Sequence, residues 1–167
     1  MGLSEPIAAE LEREAATTRK MLERVPEDKM AWRPHEKSMT LGRLAGHIAE
    51  LPSLVVFALT QDEVDFAAGN YQPFEASNSA ELLEKFDRNV AGAVEALQGQ
   101  EDEHLLKTWR LKRNGEVLFE LPRAAVLRTM GLNHVIHHRG QLSVYLRMLD
   151  VPLPSVYGPT ADEAMPS

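Results

Sequence analysis

Four separate stretches of this chain repeat apolar residues at the spacing of an α-helix, which restricts it to a mainly helical fold. The first stretch runs from about Ser4 to Val25. Ser4 is placed to cap it, Ile7, Leu11, Ala15, Thr18 and Leu22 share one face, and Pro26 stops it. The second runs from about Thr40 to Thr60, with Pro52 inside the pattern as a kink. The third follows an Asn78/Ser79 cap and ends near Leu97, and the fourth opens at Pro122 and ends near Leu149, before VPLP. Between the third and fourth lies TWRLKRNGEVLFELP, whose Asn114-Gly115 pair separates two β-prone runs and predicts a hairpin. QDEVDFAAGNYQPFEAS reads as a long connection. The expected architecture is an all-α four-helix bundle with one long crossover and a small β-hairpin before the last helix. It spans residues 1–158, and 159–167 form a flexible tail.

Three histidines stand where this pattern calls for apolar residues. At about 100° per residue, with His134 as origin, Leu127 and Tyr145 fall near 20° and Leu142 near 80°, so the apolar stripe of the last helix centres near 40°. His138 lies at that centre and His134 within the stripe, whereas His137 falls at its edge. On the second helix the same count puts His47 among Leu44, Leu51, Leu54 and Ala58, with the small Ala45 and Gly46 leaving room beside it. A buried imidazole is costly unless its nitrogens are satisfied, and one shared divalent ion satisfies three at once. His47, His134 and His138 are therefore the candidate metal ligands. Neutral imidazoles without thiolate suit zinc or nickel first, with iron, cobalt or manganese as alternatives. Three protein ligands leave a position open for a small-molecule substrate, the pattern of a reactive site.

Glu50, one turn after His47, is the candidate acid/base group or a support for the ligands, and Arg139, beside His138, the candidate partner of a substrate carboxylate or a member of an ion pair. His35 and His104 read as solvated, and Trp32 and Tyr145 as core aromatics.

The remaining composition narrows the function classes. The chain has no cysteine, which removes disulfides, thiolate metal sites and a cysteine nucleophile, and fits a cytoplasmic protein. Its start, MGLSEPIAAELEREAA, lacks the basic and apolar segments of a secretory signal, and no run is expected to reach the roughly 18 apolar residues of a membrane helix. The net charge of −7 argues against nucleic-acid binding, which rests on counterion release by basic side chains.

The string NHVIHHRGQLSVYLRMLDVPLPSVYG, the Trp32-Arg33-Pro34 triplet and LGRLAGHIAE around His47 together resemble the DinB/YfiT-like family of metalloenzymes over about residues 5 to 158. The resemblance implies a four-helix bundle with a long crossover, commonly a homodimer. It also implies a metal triad of one histidine from the second helix and two, four apart, from the last; these match His47, His134 and His138. Relatives of this bundle include enzymes that use a low-molecular-weight thiol, so the resemblance implies a thiol S-transferase. Metal-dependent hydrolysis and a non-catalytic binding or stress-response module are the alternatives.

Overall fold

The computed structural model describes residues 2–69 and 71–164. Its helices are α1 (Ser4–Leu22), α2 (Leu41–Glu50), α3 (Ser53–Thr60), α4 (Ser79–Leu97), the short α5 (Asp102–Leu106) and α6 (Arg123–Val126), and α7 (Asn133–Met148). A small sheet of strands β1 (Glu63–Asp65), β2 (Thr108–Arg113) and β3 (Glu116–Pro122) completes this mostly helical fold. α4 packs against α1, α2 and α3, and α7 packs against α1 and α2.

Two apolar clusters form the core. One joins Leu22, Leu41, Leu44, Ile48, Phe86 and Leu142 under the α2–α7 contact. The other joins Leu11, Val55, Leu97, Trp109 and Leu127 where the sheet meets the helices. Trp32 and Tyr145 pack edge to face at 5.7 Å on the first cluster, as core aromatics.

Several boundaries differ from the sequence-based expectation, each for a local reason. Ser4 is the first residue of α1 and makes no cap; the Asp102 carboxylate takes its place, accepting from the Leu3 N–H at 2.7 Å. By contrast, Asn78 does cap α4, accepting from the Glu81 N–H. The kink expected at Pro52 is a local loosening between α2 and α3, with Leu51 and Pro52 still in helical dihedrals. Pro52 has no N–H to donate, Leu54 bonds to the Leu51 carbonyl instead, and the Ser53 hydroxyl takes up the Glu50 carbonyl at 2.7 Å. The stretch Leu41–Thr60 is, contrary to expectation, long and apolar enough to span a bilayer by length and composition. Most of it is buried within the protein, so it behaves as core.

The Asn114-Gly115 turn forms as expected, with φ of 52° and 81°. The connection before α4 is not wholly irregular, because β1 adds to the hairpin in parallel with β2. Asp65, at the end of β1, then accepts from the N–H groups of Asn114 at 3.0 Å and Gly115 at 2.7 Å. Three residues are too few to display an alternating pattern, which is why the sequence hides this strand.

The expected continuous last helix is divided. Residues Leu127–Leu132 are π-helical, with the Asn133 N–H bonded to the Arg128 carbonyl five residues back. Gly131 lies in this segment against α3, where an added Cβ would stand 3.0 Å from Val55. The expected loose tail is fastened as far as Glu163. Arg24 pairs with Glu163 at 2.6 Å, Arg147 pairs with Asp162, and the Leu153 and Ser155 N–H groups donate to those two carboxylates.

Candidate metal centre

α2 and α7 bring His47, His134 and His138 together, with one potential donor nitrogen from each lying within 4.8 Å of the others. Ring centroids are 4.6 Å apart for His47 and His138, 4.7 Å for His134 and His138, and 5.2 Å for His47 and His134. His137 meets His138 edge to face at 4.8 Å but is exposed and lies outside the cluster.

The faces that carry these residues are not quite those expected. The buried residues of α7 are Val135, His138, Arg139, Leu142 and Leu146, a stripe centred at roughly 95° from His134, not 40°. Tyr145 and Met148, which the apolar pattern places inward, are half-buried and exposed, whereas Arg139 and Leu146 on the other flank are buried. His134 is consequently at the border of the stripe, half-buried. α2 is buried on almost every side except the strip of Arg43, His47 and Glu50, all half-buried. His47 thus faces the site from the open side of α2. The room expected beside Gly46 is filled by the Phe74 carbonyl, which would clash with a Cβ at that position.

Burial depresses all three histidines. His47 falls to about 4, first through burial and then through His138, His134 and Arg43. His134 is lowered by burial first, then by His138, against an opposing backbone hydrogen bond to Met130 in the π-helical segment. His138 is lowered chiefly by burial, against its hydrogen bond to Gln141. The three are therefore neutral at neutral pH, the form in which imidazole can bind a metal. Nδ1 of His138 lies 2.7 Å from Oε1 of Gln141. Nδ1 of His47 is buried with no hydrogen-bond partner among the described residues. Three neutral imidazoles in reach of one another, with an unsatisfied buried nitrogen among them, fit a divalent ion that binds imidazole at about 2 Å after a small inward movement of the rings.

The two candidate catalytic residues have different surroundings. Glu50 lies on the same strip of α2 as His47 and is held in a fixed geometry: Oε1 accepts from the Phe74 N–H at 3.0 Å, and Oε2 accepts from Tyr71 Oη at 2.9 Å and from Arg43 at 3.3 Å. Arg139 instead turns towards α1. It pairs with Glu14 at 2.8 Å, donates to the Glu14 carbonyl and Thr18 Oγ1, and donates to Tyr157 Oη at 2.8 Å. Only 2% of Arg139 is exposed, and all these partners lie on α1 or the C-terminal run.

Of the other histidines, His35 is exposed as expected. His104 is not solvated; it is half-buried and its Nε2 bonds the Leu59 carbonyl at 2.9 Å. Sequence reasoning missed Arg43 and Tyr71. The i, i+4, i+7 spacing of Arg43, His47 and Glu50 was available as a signal, but Tyr71 comes from the long connection and gave none.

A profile of the DinB family matches residues 3–165. The chain belongs to the DinB family. Among proteins similar to this DinB member is YrdA of Bacillus subtilis (strain 168), an uncharacterized protein, 26% identical over 151 residues that cover 90% of this chain and 85% of YrdA. Two DinB-like crystal structures share the fold. One, from Bacillus cereus ATCC 10987, has a TM-score of 0.72 and 24% identity, covering 92% of this chain and 97% of that one. The other, YjoA of B. subtilis, has a TM-score of 0.72 and 21% identity, covering 91% and 98%.

Proposed function

We propose that this DinB protein is a metal-dependent enzyme that binds one divalent ion, zinc or nickel, through His47, His134 and His138, and transfers a small thiol to an electrophile. The observation that carries this reading is the triad itself: donor atoms from three neutral, half-buried or buried imidazoles within 4.8 Å of one another. A divalent ion held there by three neutral ligands supplies Lewis-acid stabilisation to an incoming anionic sulfur. The chain's own residues hold and orient. Gln141 bonds to the His138 ring, and Glu50, bonded to Tyr71 and Arg43, serves in this reading as the carboxylate that accepts the thiol proton. The sulfur forms a bond to the electrophilic carbon, and the leaving group departs with its electron pair. No thiol comes from the chain, which has no cysteine, so the sulfur arrives as a cosubstrate.

The finer architecture in this reading is a four-helix bundle of α1, α2–α3, α4 and α7, supported by the mutual packing of these elements. It acts in the cytoplasm as a homodimer. Exposed apolar residues such as Phe57 on α3, and Val144 and Met148 on α7, are consistent with a covered face. Val56, by contrast, turns towards Gly92 of α4. Light scattering at micromolar concentration should give about twice the 18.7 kDa chain mass.

The test is to load untagged protein with zinc or nickel and offer bacillithiol, mycothiol, glutathione or coenzyme A with a chloro-aromatic electrophile. Metal-dependent release of chloride that is lost in His134→Ala supports the transferase. Metal-dependent ester or amide hydrolysis without thiol turnover replaces it with a hydrolase. A bound ion with neither activity leaves a binding module.

A further inference from the structure

We infer that Arg43 is the anion-binding residue of this site, and that the small molecule the site takes carries a carboxylate. This rests on the metal reading above and adds the chemical class of the ligand. Arg43, His47 and Glu50 lie at i, i+4 and i+7 on α2 and form its half-buried strip, so the guanidinium sits on the same face as the His47 ligand, one turn away. Its side chain is 21% exposed, wet enough to meet a solute and dry enough for charge to matter.

The guanidinium is under-used. Among the described residues its two side-chain contacts are Glu50 Oε2 and Tyr71 Oη, each at a long 3.3 Å. Neither is the short, two-pronged pairing that a guanidinium makes when a carboxylate is its dedicated partner. Glu50 cannot give it more, because Oε1 accepts from the Phe74 N–H and Oε2 is shared with Tyr71 at 2.9 Å. Arg139 shows the alternative in the same molecule: buried, fully engaged by Glu14, Thr18 and Tyr157, and directed into the protein.

Charge balance gives the same answer. Three neutral imidazoles leave a divalent ion its full charge, and Arg43 adds another positive charge whose field reaches both His47 and His138. Glu50 offsets only one unit of this. The loaded site is therefore strongly cationic, and a ligand that brings a carboxylate to Arg43 and a second donor atom to the ion neutralises both ends. Tyr71 acts as a positioning residue that helps hold the guanidinium on this face, and Glu50, besides taking the thiol proton, anchors it from the other side.

The experiment uses cobalt(II)-loaded protein, whose thiolate-to-metal absorption reports binding directly, with 3-mercaptopropionate and its neutral amide as matched probes at fixed ionic strength. Cobalt stoichiometry is measured first; if no cobalt binds, the metal reading falls and this inference falls with it. With cobalt bound, the carboxylate probe should bind about tenfold or more tighter than the amide. Arg43→Met should erase that preference while keeping cobalt stoichiometry, and Arg43→Lys should restore part of it. Equal binding of the two probes, failure of both to bind, or an unchanged preference in Arg43→Met overturns the inference and leaves the metal site standing. Should Arg43→Met not fold, Arg43→Gln serves as the second variant, judged by the same ratio.

Discussion

Nδ1 of His138 and Oε1 of Gln141, one turn further along α7, are 2.7 Å apart. With an amide oxygen facing it, the ring nitrogen donates, and the neutral tautomer leaves Nε2 bare for a metal. This is the outer-shell arrangement that fixes a ligating histidine and raises its basicity. Gln141→Leu should therefore weaken metal affinity by about 10- to 100-fold without changing stoichiometry, and Gln141→Glu should preserve or strengthen it. Competition with a chromogenic chelator measures both, and an unchanged affinity in Gln141→Leu would contradict the role.

The depressed histidines give the metal-free protein a defined acid response. The unfolded chain takes a proton on each histidine near 6.5, whereas folded His47 takes one only near 4. The unfolded state thus binds more protons across that window, and stability falls as the pH falls. His47 contributes fully above about 6.5 and progressively less down to about 4, and the lowered His134 and His138 act in the same direction. Urea midpoints at pH 7.5, 6 and 4.5 should decline for the metal-free wild type and decline less for His47→Gln. Parallel declines in the two proteins would refute the assignment.

Arg139 and Glu14 are 3% and 7% exposed at their side chains and form a buried pair closed by Tyr157. Removing one partner strands the other's charge, so Arg139→Ala should cost about 3–5 kcal/mol. Tyr157→Phe removes one hydroxyl that donates to Glu14 and accepts from Arg139, and should cost about 1–3 kcal/mol. Both variants should keep one metal per chain where they fold, since this network contacts α1 and the C-terminal run. Loss of metal from folded Tyr157→Phe would place the network in the site instead.

The sequence displayed the helices and the hairpin because long amphipathic periods and an Asn-Gly turn are local signals. It also displayed the two histidines of α7 and the one of α2 by their helical spacing, although only His138 lies inside a buried stripe, with His134 at its border and His47 on the open side of α2. What it concealed depends on long-range contacts. The Asp102 cap on α1 is 99 residues distant from Leu3, and β1 exists only because β2 is there to pair with it. Of the two readings open for Arg139, the ion pair is the one that forms, and its partner Glu14 on α1 is 125 residues distant, so no local signal announced it. Tyr71 reaches Glu50 from a connection with no periodicity to read.

The most direct test of the account is the metal content of untagged, folded single variants after equilibration with zinc and gel filtration, read by elemental analysis. One zinc per chain is expected for the wild type and for His137→Ala, whose ring is exposed and outside the cluster, and none for His47→Ala, His134→Ala or His138→Ala. Retention of stoichiometric zinc by His138→Ala together with its loss from His137→Ala would contradict the assignment of the site.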